Sequence, residues 1–440
     1  MYTNKQIWNV SYPILLSLFA QNIVNITDTA FLGHLGEVEL GASALGGVFY
    51  LAIFMIGFGF STGAQILMAR RNGENKYSQI SPIFVQGTFF LIIIALLVIF
   101  GTLRYASPIL GLMIKSPQVL ASTIEFLDWR TYGIFFAFIN VMFRAFFVSI
   151  TKTKTLTISA IIMGVVNIFL DYAMIFGHFG FQIMGIAGAA IASVISEFAS
   201  VAFFIIYSLS VVNIKKYGFF EKSAYTLKQL PHILNVSVWT MIQYFLSVGT
   251  WFIFFLATEH LGERSLAVSN IVRSVSTLLF MLVGAYATTA NTLVSNMMGE
   301  GKASFVPQLL KKIIFQSSWI ILPTMLLMFI FPYQIMQVYS EDVSLIKASI
   351  ASLIVLVSSY FFTTPGSIYF QFVSGTGNTR SALFMEFCTL VFYMSYVILV
   401  AFVFKMDVAV CWFAEHIYWG LLLIFSLIYM RKSDWQNKKI

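Results

Sequence analysis

Long apolar runs, broken by short polar connections, fill almost the whole chain. At roughly 20 predominantly apolar residues per membrane-crossing helix, they predict twelve spans, at about 6–33, 43–69, 79–103, 119–150, 155–178, 183–212, 231–258, 266–297, 311–338, 343–373, 380–405 and 407–430. Six fall in each half. The longest polar connection, Asn213 to Lys228, carries four Lys. It divides the chain into an amino-terminal lobe, 1–212, a cytoplasmic linker, 213–230, and a carboxy-terminal lobe, 231–440. The pattern predicts an all-α integral membrane protein built as two six-helix bundles. Met1–Lys5 leads directly into an apolar stretch too long for the core of a secretory signal, so that stretch is expected to remain as span one.

The two halves repeat one another. His34-Leu35-Gly36-Glu37 returns 226 positions later as His260-Leu261-Gly262-Glu263, and at the same offset Phe54-Met55 returns as Phe280-Met281 and Gly73-Glu74 as Gly299-Glu300. A fixed register over that distance marks a duplicated unit. An even number of spans per copy leaves both copies in the same orientation, related by an axis along the membrane normal with the substrate path between them. The differences between the copies are then informative. Asp28 faces Phe254 at the offset of 226, and at the offset of 225 that aligns Val148-Ser149 with Val373-Ser374, Asn167 faces Phe392 and Asp171 faces Tyr396.

Composition agrees with the pattern, since 59% hydrophobic and 10% charged residues lie far from the balance of soluble domains. If both termini are cytoplasmic, 18 of the 26 Lys and Arg, among them Arg70, Arg71, Lys438 and Lys439, fall on the inner side and five on the outer. That bias predicts a multi-pass protein of the cytoplasmic membrane. The net charge of +8 is accounted for by topology and anionic headgroups, with no nucleic acid required. Cys388 and Cys411 have neither CxxC spacing nor a ligand-spaced His, so no zinc site or disulfide framework is indicated.

An ionised group in hydrocarbon costs several kcal/mol, so carboxylates inside spans mark candidate chemistry. Glu125 and Asp128 sit beside Arg130 near the start of span four, which reads as a local, partly wetted ion cluster. Glu386, about two turns into span eleven from Arg380, suits snorkelling or pairing at the inner face as well as a functional role. Glu415 and His416 are adjacent in span twelve and point about 100° apart. Glu197 has no assigned role.

Asp28 and Asp171 differ from these. Both lie in spans that run outward, roughly 7 Å and roughly 10 Å below the outer end at 1.5 Å per residue, so they can meet at one depth. Asn167 shares a helix face with Asp171, and Ser193 in span six comes within roughly 15 Å of the same surface. Two carboxylates in a low-dielectric pocket cannot both ionise cheaply, so the pair should take up a proton near neutral pH. Alternatively, hard oxygen ligands from Asp28, Asn167, Asp171 and Ser193 could hold an alkali cation such as sodium. Pro13 lies in the same span as Asp28 and is either a fixed kink or a hinge whose angle responds to the charge on Asp28.

Pro13 followed by Asp28, then Thr29-Ala30-Phe31-Leu32-Gly33-His34-Leu35-Gly36, the pair Asn167 and Asp171, Gly185-Ile186-Ala187-Gly188-Ala189-Ala190-Ile191-Ala192-Ser193 opening span six, and Gly375-Thr376-Gly377-Asn378-Thr379-Arg380 after span ten together resemble the multidrug and toxic compound extrusion family. The resemblance covers the whole chain. It implies a V-shaped pair of bundles and an antiporter that expels organic, often cationic compounds against an inward flow of protons or sodium ions. It also implies a cation site in the first lobe at Asp28, Asn167, Asp171 and the hydroxyl of Ser193. Some branches add a Glu in span seven and an Asp in span ten. Here those regions read Gln243 to Ser247 and Tyr360 to Thr364, without a carboxylate, which favours the branch resembling the DNA-damage-inducible proteins.

No cofactor is expected beyond the coupling ion, H+ or Na+. The expected partners are small organic molecules and membrane lipids, and the chain is expected to act as a monomer. A cavity lined by some of the 46 Phe and 19 Met would suit varied apolar shapes. The alternative is a flippase for lipids or lipid-linked sugars. It would need cationic residues for phosphate, for which Arg130, Arg144 and Arg273 are the candidates. A membrane enzyme would need an intramembrane nucleophile with its base, or a metal motif such as HExxH, and the sequence contains neither.

Overall fold

Apolar helices form because a chain in hydrocarbon must satisfy its backbone groups within itself. The computed structural model describes residues 2–438 and 440; Met1, and Lys439 of the inner-side charges, lie outside the described residues. The helices in chain order are α1 (Asn4–Leu35), α2 (Glu37–Gly73), α3 (Ile80–Gly111), α4 (Pro117–Arg130), α5 (Gly133–Ser149), α6 (Lys154–Phe176), α7 (Gly185–Val211) and α8 (Leu230–His260). They continue with α9 (Glu263–Gly299), α10 (Val306–Ile330), α11 (Pro332–Gln337), α12 (Val343–Gly375), α13 (Thr379–Ile398), α14 (Val408–Trp412) and α15 (Ala414–Lys432). Among the described residues, eleven helical segments are long and apolar enough to cross a membrane, and a twelfth span is made by α4 and α5, bent by 51°. Large side chains such as Phe100 and Leu209 remain exposed on these helices, as a lipid-facing surface requires.

The duplication is visible residue by residue. α2 and α9 are both 37 residues long and begin and end 226 positions apart. Each starts after a glycine at positive φ, Gly36 and Gly262, which lets the chain reverse directly into the next helix. Each ends in the same turn: Asn75 and Gly301 are left-handed, and the amide N–H groups of Lys76 and Lys302 donate to the carbonyls of Arg71 and Met297, each at 2.9 Å. α3 corresponds to α10 plus α11, because Pro332 follows a break at Phe331 that the first half lacks.

The sequence match of Val148-Ser149 to Val373-Ser374 is one residue out of structural register. α5 ends at Ser149 and α12 at Gly375, an offset of 226, and the connection that follows is one residue shorter in the second half. The buried face of α13 nevertheless matches that of α6 at 226. Ala382, Glu386, Leu390, Tyr393 and Val397 are buried where Leu156, Ala160, Gly164, Asn167 and Asp171 are buried in the first half. Phe392 is exposed and faces away. The structural counterparts of Asn167 and Asp171 are therefore Tyr393 and Val397, rather than Phe392 and Tyr396.

Two compact units emerge, Leu16–Met241 and Met1–Leu15 with Ile242–Ile440, so their edges fall inside α1 and α8. In the first, a core forms around Leu32, Phe126, Ile175 and Ile186. The polar stretch 213–229 packs onto this unit: Gln86 on α3 donates to the Ser223 carbonyl at 3.3 Å and accepts from the Gln229 amide at 2.9 Å. In the second unit the core gathers Phe254, Val272, Leu353, Tyr393 and Trp412.

Candidate cation site

α1 and α6 approach closely at a small residue. A Cβ added at Gly164 would lie 3.1 Å from Val24 Cγ2. Asp28 stands one turn beyond Val24, and Asn167 three residues beyond Gly164, so this contact brings their side chains together. With its amide nitrogen turned toward the acids, Asn167 donates to Asp28 Oδ1 at 2.8 Å and to Asp171 Oδ2 at 3.3 Å. Asp28 and Asp171 are also within hydrogen-bonding contact of one another. Ionised carboxylates are acceptors only. Contact between two of them calls for a shared proton, or for a cation in its place.

Burial sharpens that requirement. Asn167 is 1% exposed and Asp171 0%, and the Oδ1 atom of Asp171 is buried with no hydrogen-bond partner. On the other side of the same helix Val165 and Phe169 are exposed. α6 thus turns its amide and carboxylate inward and its apolar residues outward. An orphaned carboxylate oxygen in this setting calls for a partner that the surrounding side chains do not supply.

Ser193 stands at the same depth. Gly188 on α7 packs on the Met174 backbone, where a Cβ would meet a carbon at 2.9 Å. Five residues further along the antiparallel α7, roughly 7.5 Å at 1.5 Å per residue, Ser193 is level with position 169. Among the described residues, however, no hydrogen bond joins its hydroxyl to Asp28, Asn167 or Asp171, while its carbonyl accepts from Ser196 Oγ at 2.8 Å. The structure brings together three of the four residues. Pro13 lies inside α1, fifteen residues before Asp28, and the unit that holds Asp28 begins at Leu16.

One buried partner was missed in the sequence. Glu125 and Asp128 are exposed, and Arg130 turns away from them to pair with Glu197 on α7, Nη2 to Oε1 at 2.7 Å and Nη1 to Oε2 at 3.1 Å. Tyr50 donates to Glu197 Oε1 at 2.9 Å, and the guanidinium lies 3.6 Å from the centre of the Tyr50 ring. Such a fork-to-carboxylate pair is the strong form of a charge-assisted hydrogen bond. It sits at the α4–α5 bend, where a Cβ on Gly133 would collide with Arg130 Nη1. Arg130 is near enough to Asp28 to act on its charge. A mid-span Glu four residues after Ser193 was the available signal. With its charge taken up by Glu197, Arg130 is a weak candidate for gripping phosphate.

The second half holds rings where the first holds acids. Phe254, the counterpart of Asp28, lies 6.4 Å from Tyr393, the counterpart of Asn167, and 5.0 Å from Trp412, ring centre to ring centre.

The chain is thus a multi-pass membrane protein whose two copies of one helical unit differ by an acid pair held in the first. The MatE family model matches residues 13–173 and 240–417. The chain belongs to this family, the multidrug and toxic compound extrusion transporters. It is 24% identical over 389 residues to the probable multidrug resistance protein NorM of Pasteurella multocida (strain Pm70), covering 87% of this chain and 83% of that protein. A NorM of the same description from Thermotoga maritima is 24% identical over 398 residues, covering 88% and 83%. Among solved structures, an outward-facing multidrug resistance MATE family transporter of the MOP superfamily superposes with a TM-score of 0.90 at 18% identity, over 99% of this chain and 97% of that one. A MOP superfamily transporter from Pyrococcus furiosus gives 0.89 at 18%, with the same coverage. These structural likenesses establish the fold.

Proposed function

We propose that this chain is a secondary antiporter that exports organic, often cationic compounds in exchange for protons or sodium ions. The reading draws on family membership and on relatives described as multidrug resistance proteins. The observation that carries the coupling is the contact of Asp28, Asn167 and Asp171 around a buried, unpartnered carboxylate oxygen. Binding a cation there removes a charge that hydrocarbon penalises. Releasing it restores that charge, so occupancy biases the equilibrium between outward-open and inward-open forms. Ser193, level with the pair, serves as a fourth oxygen in the form that closes around the ion. Pro13 is the hinge of α1, because proline cannot donate to the backbone ladder and lowers the cost of bending there.

The protein acts as a monomer in the cytoplasmic membrane, with both termini cytoplasmic, and couples through its first lobe as in the branch resembling the DNA-damage-inducible proteins. The functional partition is 1–212 and 231–440, joined by 213–230. Transport of an organic cation into reconstituted vesicles, under proton and sodium gradients imposed separately, tests the reading. Wild type should accumulate the cation under at least one gradient, while Asp28→Asn and Asp171→Asn fall to the level of protein-free vesicles. Undiminished transport by both variants would overturn the coupling site.

A further inference from the structure

A second carboxyl, in the other compact unit, is buried without a counter-charge. Glu386 on α13 is 1% exposed, and no ion pair among the described residues includes it. The inner-face pairing expected from its spacing to Arg380 is not how it is held. Ser247 on α8 donates to its Oε1 at 2.5 Å and Tyr418 on α15 to the same atom at 3.1 Å, while Oε2 is buried and has no partner.

That lopsided pattern carries chemical information. An ionised carboxylate spreads its charge over two equivalent oxygens and, once buried, needs donors at both. A neutral acid has one carbonyl oxygen that accepts and one hydroxyl that donates. Ser247 Oγ also reaches the Gln243 carbonyl at 3.1 Å, so its single proton can go there while a protonated carboxyl donates to it, and Oε2, which no donor reaches, is unsuited to carry charge. A second orphaned oxygen lies on the helix that carries Ser247. Gln243, one turn before Ser247 on the same face of α8, is 5% exposed, and its Oε1 is likewise buried without a partner.

The surrounding groups favour neutrality. On α15, Tyr418 and Glu415 are near, with both carboxyls acting on Tyr418. On α13 itself, Tyr393 donates to Glu415 Oε1 at 3.5 Å, and on α12 Tyr360 donates to the Ser276 carbonyl. From α8 come only Gln243 and Ser247. No salt bridge among the described residues reaches Glu386 and no donor reaches its Oε2, so burial itself disfavours a negative charge there.

We propose that Glu386 is a second proton-binding site, separate from the Asp28–Asp171 pair. The site stands on its own, whatever the first pair binds. Ser247 and Tyr418 are half-buried, so their hydroxyls connect the buried acid to the rim of the helix packing.

Infrared spectra of the full chain in lipid nanodiscs test this, in a background of Asp28→Asn and Asp171→Asn that removes the other pair. At neutral pH the parent should show a protonated-carboxyl C=O band that shifts in D2O and is absent from Glu386→Gln. The same band in Glu386→Gln, or carboxylate bands alone in the parent, would overturn the proposal. Raising the pH should lower the melting temperature of the parent more steeply than that of Glu386→Gln, whereas parallel curves, or rescue of the parent by sodium, would contradict a proton site. If Glu386→Gln does not fold, Ser247→Ala provides the reading, since loss of a donor to Oε1 should move the band to higher frequency. An unmoved band would count against the assignment.

Discussion

The two copies of one helical unit have solved the same packing problem with opposite chemistry. Where α1 meets α6, Asp28, Asn167 and Asp171 share a polar contact, and at the matching place in the second copy Phe254 and Tyr393 form part of an aromatic cluster with Trp412. Where α4 meets α7, Arg130 and Glu197 form a partly buried ion pair at a bent span, and the matching positions, Leu356 and Leu423, accompany a helix with no break. The second copy keeps an acid too, at Glu386, but on the residue that corresponds to Ala160, almost two turns before the counterpart of Asn167. Duplication fixes the frame and leaves the interior free to diverge, and the polar residues in each interior identify what that copy can bind.

The comparison can be broken by exchanging residues between the copies. The largest expected effect is on transport. Asn167→Tyr, which imports the second-copy residue, removes the bridging amide and should abolish gradient-driven uptake while leaving folded protein on size-exclusion chromatography; uptake near the wild-type rate would show that the bridge is dispensable. Next comes the ion pair. Arg130→Leu strands Glu197 and should cost about 3–5 kcal/mol of stability, read as a lower melting temperature. Arg130→Leu with Glu197→Leu copies the second half and should recover most of that loss, so a double variant as unstable as the single would refute the compensation.

Smaller effects sharpen the picture. Gly164→Leu overfills the contact with Val24 and should cost roughly 1–3 kcal/mol, with cation binding weakened as α1 is pushed from α6. The smallest effect belongs to the repeated turn. Burial would raise the Glu74 carboxyl, but Arg71 and Lys76 outweigh it and hold the group below the ordinary carboxylate range. Its contribution is therefore present at neutral pH and fades as acid protonates it, within the ~1 kcal/mol of a screened surface pair. Glu74→Gln should flatten that acid-side loss slightly. Glu300→Gln should do less, because among the described residues the one salt bridge of Glu300 is to Lys302, and Met297 stands where Arg71 does.

Twelve spans and their duplication were legible in the sequence because apolar length and turn motifs such as His34-Leu35-Gly36-Glu37 are strong local signals. Asp28 and Asp171 were legible because an intramembrane carboxylate is too costly to be accidental. The partner of Arg130 was not. Glu125 and Asp128 are near in sequence, but a helix turns them outward, and Glu197 lies 67 residues away. Glu386 was equally hidden, since an apolar span gives no contrast between its lipid side and its protein side, and only packing reveals that this residue faces α8 and α15. The one-residue slip in aligning α6 with α13 arose because a Val-Ser match carries little information, whereas burial of Tyr393 and Val397 restores the register.

On the proposed mechanism, the Asp28–Asp171 contact binds the coupling cation and surrenders it when drug binds. Purified protein in weakly buffered solution, with proton and sodium activities both recorded, can be mixed with an organic cation. The account predicts release of a proton or sodium ion from wild type, and one fewer per chain from Asp171→Asn. Equal release from the two proteins would contradict it.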